Sequence, residues 1–292
     1  MKTVGIFCFS GTGNTEIIAD MIREAFAERA YHIEMIRMED VLKSSRRINP
    51  ADYDLIGIGS PVLGYSSPKI VRDFIRTLPK ILLKENNRKV FIFRTAGGVA
   101  PVNYNASKPI IRRLSARGYE VFYERIFSIS SNWIFKFDDD VILKLYEASR
   151  KKAGLMCDEV ILGKKHLYKT GLWRKVMMEA VMLADLPVFR MIGKDYAVGT
   201  SCSHCGLCVI HCPSGNIREK NGRIRFGMSC NSCMRCVYSC PKNAIRLRTL
   251  SFFAVPGGYN IKKILANPCP PEEKDKRAEP AFFKAYIGDC DL

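Results

Sequence analysis

Apolar and polar residues alternate along the first 160 positions in two rhythms, one of strands and one of helices. Thr3 to Phe9 is a short continuous apolar run, β-branched and aromatic in part, and predicts a strand buried on both faces of a parallel sheet. A helical rhythm follows, with Ile17, Ile18, Met21, Ile22, Ala25 and Phe26 on one face and Glu16, Asp20, Arg23, Glu24 and Glu28 on the other. Further strands are predicted from Tyr31 to Met38, Tyr53 to Gly59, Lys89 to Thr95 and Glu120 to Ile129, and helices from Pro68 to Leu78, Ser107 to Arg117 and Asp138 to about Leu162. Strands alternating with helices on short joins imply an α/β doubly wound parallel sheet. Its ligand is then expected at the strand C-terminal ends, where the strand order reverses.

Beyond residue 160 the pattern changes. Leu172, Trp173, Val176, Met177, Ala180, Val181 and Leu183 form an apolar stripe at helical spacing, with Arg174, Lys175 and Glu179 interleaved. The run is too short and too charged to cross a bilayer; a basic amphipathic helix with a tryptophan can lie on a membrane surface, but interior packing between two domains is the preferred reading. Asn221-Gly222 between Ile217 to Lys220 and Arg223 to Phe226 predicts a tight hairpin. From Ser251 the chain holds PGG, PCPP, a charged EEKDKR run and AFFKAYIG, read as an extended arm whose aromatic end is expected to dock on the body. The expected divisions are 1–162 for the doubly wound domain, 163–198 for the interdomain helical segment, 199–250 for a small cysteine-rich α+β domain and 251–292 for the tail.

The formal charge of +17 changes this picture through its distribution. It is +6 over residues 1–160, +4 over 161–200, +7 over 201–250 and zero over 251–292. So basic a chain raises nucleic-acid binding as a first thought. The most basic segment, however, is also the one richest in cysteine. The N-terminal MKTVGIFCFSGTGNT passes from a few apolar residues into glycine-rich polar sequence, and is expected to be neither signal peptide nor anchor. Twelve cysteines without an export signal favour metal sites over disulfides, hence a cytoplasmic setting. Cys8 falls in an apolar strand and reads as a core residue; Cys157, Cys269 and Cys290 lie outside any motif.

The other eight cysteines form the most specific signal in the chain. CSHCGLCVIHCP begins at Cys202 and CNSCMRCVYSCP begins 28 residues later at Cys230. Both are Cys-x2-Cys-x2-Cys-x3-Cys-Pro, the run of bacterial ferredoxins with two 4Fe-4S clusters, which this segment resembles. On that resemblance Cys202, Cys205, Cys208 and Cys240 hold one cluster, and Cys230, Cys233, Cys236 and Cys212 the other. Recurrence of Pro213 and Pro241, and of Ile217 and Ile245, points to a duplicated half-domain. Zinc or disulfides are the plain alternatives, although zinc sites usually use two separated Cys-x2-Cys pairs. His204 and His211 lie within the first run and are read as bystanders, since no cysteine is missing from either run.

Between the first strand and first helix stand Ser10, Gly11, Thr12, Gly13, Asn14 and Thr15. Small hydroxyl residues and glycines at a helix N-terminus offer backbone N–H groups and hydroxyls to a phosphate. The loop has neither Walker spacing nor GxGxxG. SGTGNT after an apolar strand resembles the FMN-phosphate loop of flavodoxins. Together the two resemblances suggest the fused flavodoxin and two-cluster ferredoxin proteins of anaerobes. They imply FMN and two 4Fe-4S clusters as cofactors, with Ser10 to Thr15 at the phosphate and Pro61, Val62, Leu63, Gly64 and Tyr65 along one side of the isoalloxazine. Thr95, Ala96, Gly97 and Gly98 are implied at its pyrimidine side, with Tyr65 or Tyr104 as the stacking ring. The third loop, TAGGVAPVNY, lacks the carboxylate and close aromatic common in flavodoxins, so a flavin here is expected to take two electrons more readily.

The function expected is electron transfer between clusters and flavin, either as a carrier or as a reductase, with no catalytic residue assigned. An acidic, ferredoxin-like redox protein or a small anionic acceptor is the expected partner; nucleic acid is not favoured, and no transmembrane span is expected. The rival reading is a basic zinc-containing nucleic-acid-binding module whose N-terminal loop is a vestigial anion site.

Overall fold

A computed structural model of the chain describes residues 1–44, 46–81, 88–169, 171, 191–267 and 281–288. Its first part is a five-stranded parallel sheet of β1 (Thr3–Cys8), β2 (His32–Arg37), β3 (Leu55–Pro61), β4 (Arg88–Ala96) and β5 (Tyr119–Ser128) in the order β2-β1-β3-β4-β5. That order is the flavodoxin-like form of the doubly wound fold, with its switch point between β1 and β3. The helices are α1 (Asn14–Ala27), α2 (Met38–Ser44), α3 (Lys69–Thr77), α4 (Lys108–Ser115) and α5 (Asp139–Ile161). The strands and long helices agree with the predicted ones to within a residue or two at most ends. The exception is α2, whose seven residues are too short to register as a helical rhythm.

Side-chain alternation along β1 separates two cores. Val4, Ile6 and Cys8 join α1 and α5 on one face, while Phe7 and Phe9 join Ile56, Ile58, Ile70 and Phe74 on the other. Phe91 and Phe93 of β4 reach across β3 because Gly57 and Gly59 leave room for their rings: a Cβ at either glycine would lie 2.5 Å or 2.2 Å from a ring atom.

The cysteine-rich part is a small ferredoxin-type α+β unit. β6 (Tyr196–Val198) pairs antiparallel with β9 (Ile245–Leu247), and β7 (Ile217–Lys220) with β8 (Arg223–Phe226). Asn221 and Gly222 turn the hairpin with φ of 51° and 66°. The duplication seen in the cysteines extends to the backbone. Left-handed residues recur at the same offset, His204 with Ser232, Gly206 with Met234 and Gly215 with Asn243, as do helical turns at Leu207–Ile210 and Arg235–Tyr238.

Two helices stand in the described part of the C-terminal region, where an extended arm with a docking aromatic end was expected. Ile261 and Ile264 of α6 (Ile261–Ala266) bury in the core beside α1, and Asn260 caps that helix by accepting from Lys263 N–H. The aromatic end forms α7 (Ala281–Gly288), whose Phe283 and Tyr286 pack on Leu145 and Ala148 of α5. Short apolar patches spaced by proline and glycine carried no rhythm strong enough to announce these helices. The stripe from Leu172 to Leu183 lies outside the described residues, as do Cys269 and Cys290.

Candidate functional site

A pocket with about 690 Å³ of open space, mouth included, lies at the C-terminal ends of β1, β3 and β4. In a doubly wound sheet this is the place where a ligand binds. Its lining includes Ser10, Gly11, Thr12, Asn14 and Thr15 after β1, Pro61, Val62, Leu63 and Gly64 after β3, and Thr95, Ala96 and Gly97 after β4. The expected residues Gly13, Tyr65 and Gly98 stand just behind it. Tyr65 is half exposed with φ 55°, and Tyr104 stacks on Tyr168 at 4.3 Å, so neither expected ring faces the pocket. Ser130, Ser131, Asn132 and Trp133, after β5, line it instead. This fourth loop was missed, although polar residues directly after a parallel strand are the signal that marked the other three.

The geometry of the first loop suits an anion. Gly13 caps α1 with φ 103° and no side-chain capping bond, and the first intrahelical bond runs from Ile17 N–H to Gly13 O. The N–H groups of Asn14, Thr15 and Glu16 come before that bond, where a helix has no partner of its own to give them. A phosphate is the natural acceptor at such an end. Side chains tie the loops after β1, β4 and β5 to one another. Thr15 Oγ1 meets Thr95 Oγ1 at 2.7 Å, Asn14 Nδ2 donates to Ser130 O at 2.7 Å, and Asn132 Nδ2 donates to Thr12 Oγ1 at 2.6 Å. Tyr259 of the C-terminal region donates to Asn14 Oδ1 at 2.6 Å. Behind the third loop, fully buried Arg94 pairs with Glu124 and donates to Asn103 O, while Asn103 Nδ2 donates to Gly98 O. Among the described residues no Asp or Glu lines the pocket.

Two further pockets carry the motif cysteines. Cys212, Cys230, Cys233 and Cys236 line one, together with Cys208, Tyr196 and Phe226; Cys202, Cys205, Cys208 and Cys240 line the other, together with Cys236 and Ile224. None of the eight is in a disulfide, and among the described residues no three His, Cys, Asp or Glu side chains converge as ligands of a single metal ion. Four sulfurs accept backbone N–H groups at matching places in the two halves: Cys202 from His204 and Cys230 from Ser232, Cys212 from Asn216 and Cys240 from Ala244, at 3.2–3.4 Å. Burial pushes the Cys230 thiol up to about 12 and raises that of Cys233, against which Arg235 works. Two sets of four cysteines, with two sulfurs of each set already accepting backbone N–H groups, form a donor set that an iron–sulfur group fits.

The inner cysteine pocket and the pocket over the sheet share a wall. Cys233 lines both and packs among the core residues beneath the sheet's C-terminal edge. Gly11 permits this approach, since a Cβ there would lie 2.6 Å from Cys233 O and 2.8 Å from Cys233 Cβ. Two residues on, Arg235 fastens the contact. It donates to Ser10 O at 2.6 Å, Gly11 O at 3.2 Å and His211 O at 3.0 Å, pairs with buried Glu39 at 2.6 Å and lies over the Phe9 ring. Asn231 Oδ1 accepts from Ile70 N–H at the start of α3, and Tyr238 donates to Asn132 O. Nothing in sequence spacing marked Arg235, because Ser10, Gly11 and Glu39 lie some 200 residues away.

Among the described residues no helix is long and apolar enough to cross a membrane. No curated protein matches the chain. Solved structures similar to its first half include a flavodoxin from the domain Archaea (13% identity over 55% of this chain and 99% of that one, TM-score 0.35) and oxidised flavodoxin 1 of Bacillus cereus (22%, 51% and 95%, 0.34). Two-electron reduced Megasphaera elsdenii flavodoxin is also similar (27% identity, 42% and 84%, TM-score 0.32). The fold assignment rests on the strand order and not on these likenesses. Residues 194–244 match the 4Fe-4S dicluster domain family, so a flavodoxin-like sheet is followed in this chain by an iron–sulfur type domain.

Proposed function

We propose that this chain is an electron-transfer protein that holds FMN in the pocket over the parallel sheet and two 4Fe-4S clusters in the cysteine-rich unit. In this reading Ser10, Gly11, Thr12, Gly13, Asn14 and Thr15 receive the phosphate, and the loops after β3, β4 and β5 enclose the ring system. Cys212, Cys230, Cys233 and Cys236 hold an inner cluster, and Cys202, Cys205, Cys208 and Cys240 an outer one. FMN, when bound, supplies one- or two-electron chemistry and each cluster one-electron chemistry, so a chain holding both can join a one-electron carrier to a two-electron acceptor. The domain divisions at 162, 198 and 250 belong to the same reading, as does a flavin that takes two electrons readily in a pocket without carboxylates.

The observation that carries the reading is the shared wall at Cys233, which in this reading sets a cluster ligand against the phosphate loop with only Gly11 between. Arg235 keeps that wall closed by binding the loop's carbonyl oxygens. An acidic redox protein or a small anionic acceptor suits the basic surface.

Anaerobic purification followed by metal, sulfide and flavin analysis tests this. About eight irons, about eight sulfides and about one FMN per chain are expected. Zinc in a colourless protein refutes the cluster assignment, and failure to bind added FMN refutes the pocket assignment. Bleaching of the flavin by reduced ferredoxin rather than by NAD(P)H is the further expected result.

A further inference from the structure

The hairpin β7–β8 pairs Arg218 with Arg225 and Lys220 with Arg223. Residues directly opposite on antiparallel strands point to the same face, and positions two apart share it. Four cations therefore occupy one side of a four-residue-long ribbon, and all four are exposed. Among the described residues no carboxylate lies within ion-pair distance of any of them, and Glu219, the hairpin's one acid, sits on the opposite face across from Ile224. Like charges set directly opposite destabilise a sheet, so this arrangement opposes the fold it belongs to.

The other face of the ribbon is turned toward the cysteines. Ile224 lines the outer cysteine pocket, and Ile217 and Phe226 line the inner one. The ribbon is thus a cover over both pockets with its cations outward. Beside it the mouth of the outer pocket presents exposed Cys205, Leu207 and Lys242. An apolar spot with a cationic border matches the anatomy of a protein interface more closely than that of a site tracking a phosphate backbone.

We propose that the cationic face of β7–β8, with the adjoining rim of the outer cysteine pocket, is the docking site for an acidic electron-carrier protein. The proposal rests on the electron-transfer reading above and adds where the carrier binds. It makes the outer pocket the port to the outside and leaves the inner one, at Cys233, facing the sheet.

The test uses full-length protein after reconstitution, with an acidic ferredoxin as probe, titrated calorimetrically at low and at physiological ionic strength. The variant Arg218→Gln/Lys220→Gln/Arg223→Gln/Arg225→Gln is expected to bind at least ~10-fold more weakly and with a flatter salt dependence. Lys2→Gln/Lys80→Gln/Arg112→Gln/Lys151→Gln removes the same charge from the sheet domain and is expected to bind as wild type does. Equal weakening in both variants, or in neither, overturns the proposal. So does loss by the hairpin variant of binding to RNA or to anionic vesicles while ferredoxin binding is kept. Iron, sulfide and flavin are assayed in the same wild-type sample: their absence overturns the electron-transfer reading and this proposal with it, whereas their presence with unchanged hairpin-variant binding overturns this proposal alone.

Discussion

Replacing Arg235 by methionine keeps an unbranched side chain and removes only the guanidinium. In the wild-type chain the Glu39 side chain is 4% exposed and that of Arg235 is 18% exposed; Arg235 meets Glu39 Oε1, and the buried Oε2 has no hydrogen-bond partner among the described residues. Breaking a buried pair from one side typically costs 3–5 kcal/mol, because the remaining charge stays buried; the partial exposure of Arg235 places this case near ~3 kcal/mol. Loss of the bonds to the Ser10 and Gly11 carbonyls adds roughly 1 kcal/mol net. A total of about 4 kcal/mol corresponds to a ~1000-fold shift away from the docked arrangement of loop and cysteine unit. FMN that binds only the docked arrangement loses apparent affinity in proportion to the docked fraction, so ~1000-fold is the ceiling. The assay is titration of FMN fluorescence with Arg235→Met, Glu39→Gln and the double variant, each with its iron content measured. The double variant leaves no buried charge and is expected to recover at least ~10-fold of the loss. An unchanged FMN affinity in Arg235→Met, or a double variant no better than the single one, would refute this reasoning.

Gly11→Ala places a methyl against the Cys233 backbone and is expected to weaken FMN binding at a stability cost of about 1–3 kcal/mol, measured by denaturant titration. Cys233→Ser and Cys205→Ser are each expected to remove about four of about eight irons, but only the first should alter the flavin absorption band; identical spectra would contradict the inner and outer assignment. Tyr259→Phe removes the hydrogen bond to Asn14 Oδ1 and should cost about 1 kcal/mol, with a corresponding rise in FMN Kd. The Cys8 thiol is pushed up from 9.0 to about 12, by burial first and then by Glu39 and Glu16. Its proton is kept by the folded chain and released by the unfolded one, so its contribution to stability is complete below pH 9.0 and lost as the pH rises toward about 12. Cys8→Ala should flatten that slope in denaturation curves, and a slope that persists would assign it to other groups.

Local signals in the chain were sufficient for the strands, the longer helices and both cysteine runs. An apolar run of six or seven residues is stable only when covered on both faces, which dictates a parallel sheet wherever helices intervene. A thiol at every third position has few chemical uses, and Asn221-Gly222 admits hardly any turn but the one it makes. The same locality explains what stayed hidden. The SSNW segment after β5 became part of the pocket only when β5 took the edge of the sheet, and Tyr65 and Tyr104 were set aside by a turn and by Tyr168.

Element types, the cysteine spacing and the internal duplication were thus decided by residue order, because each depends on neighbours within about thirty positions. The meeting of Cys233 with Gly11, the grip of Arg235 on the loop after β1 and the seating of α6 against α1 were decided by tertiary structure alone. The reason is physical: these contacts join residues far apart in the chain, and a carbonyl or a methyl-sized gap carries no mark in sequence of the side chain that will eventually meet it.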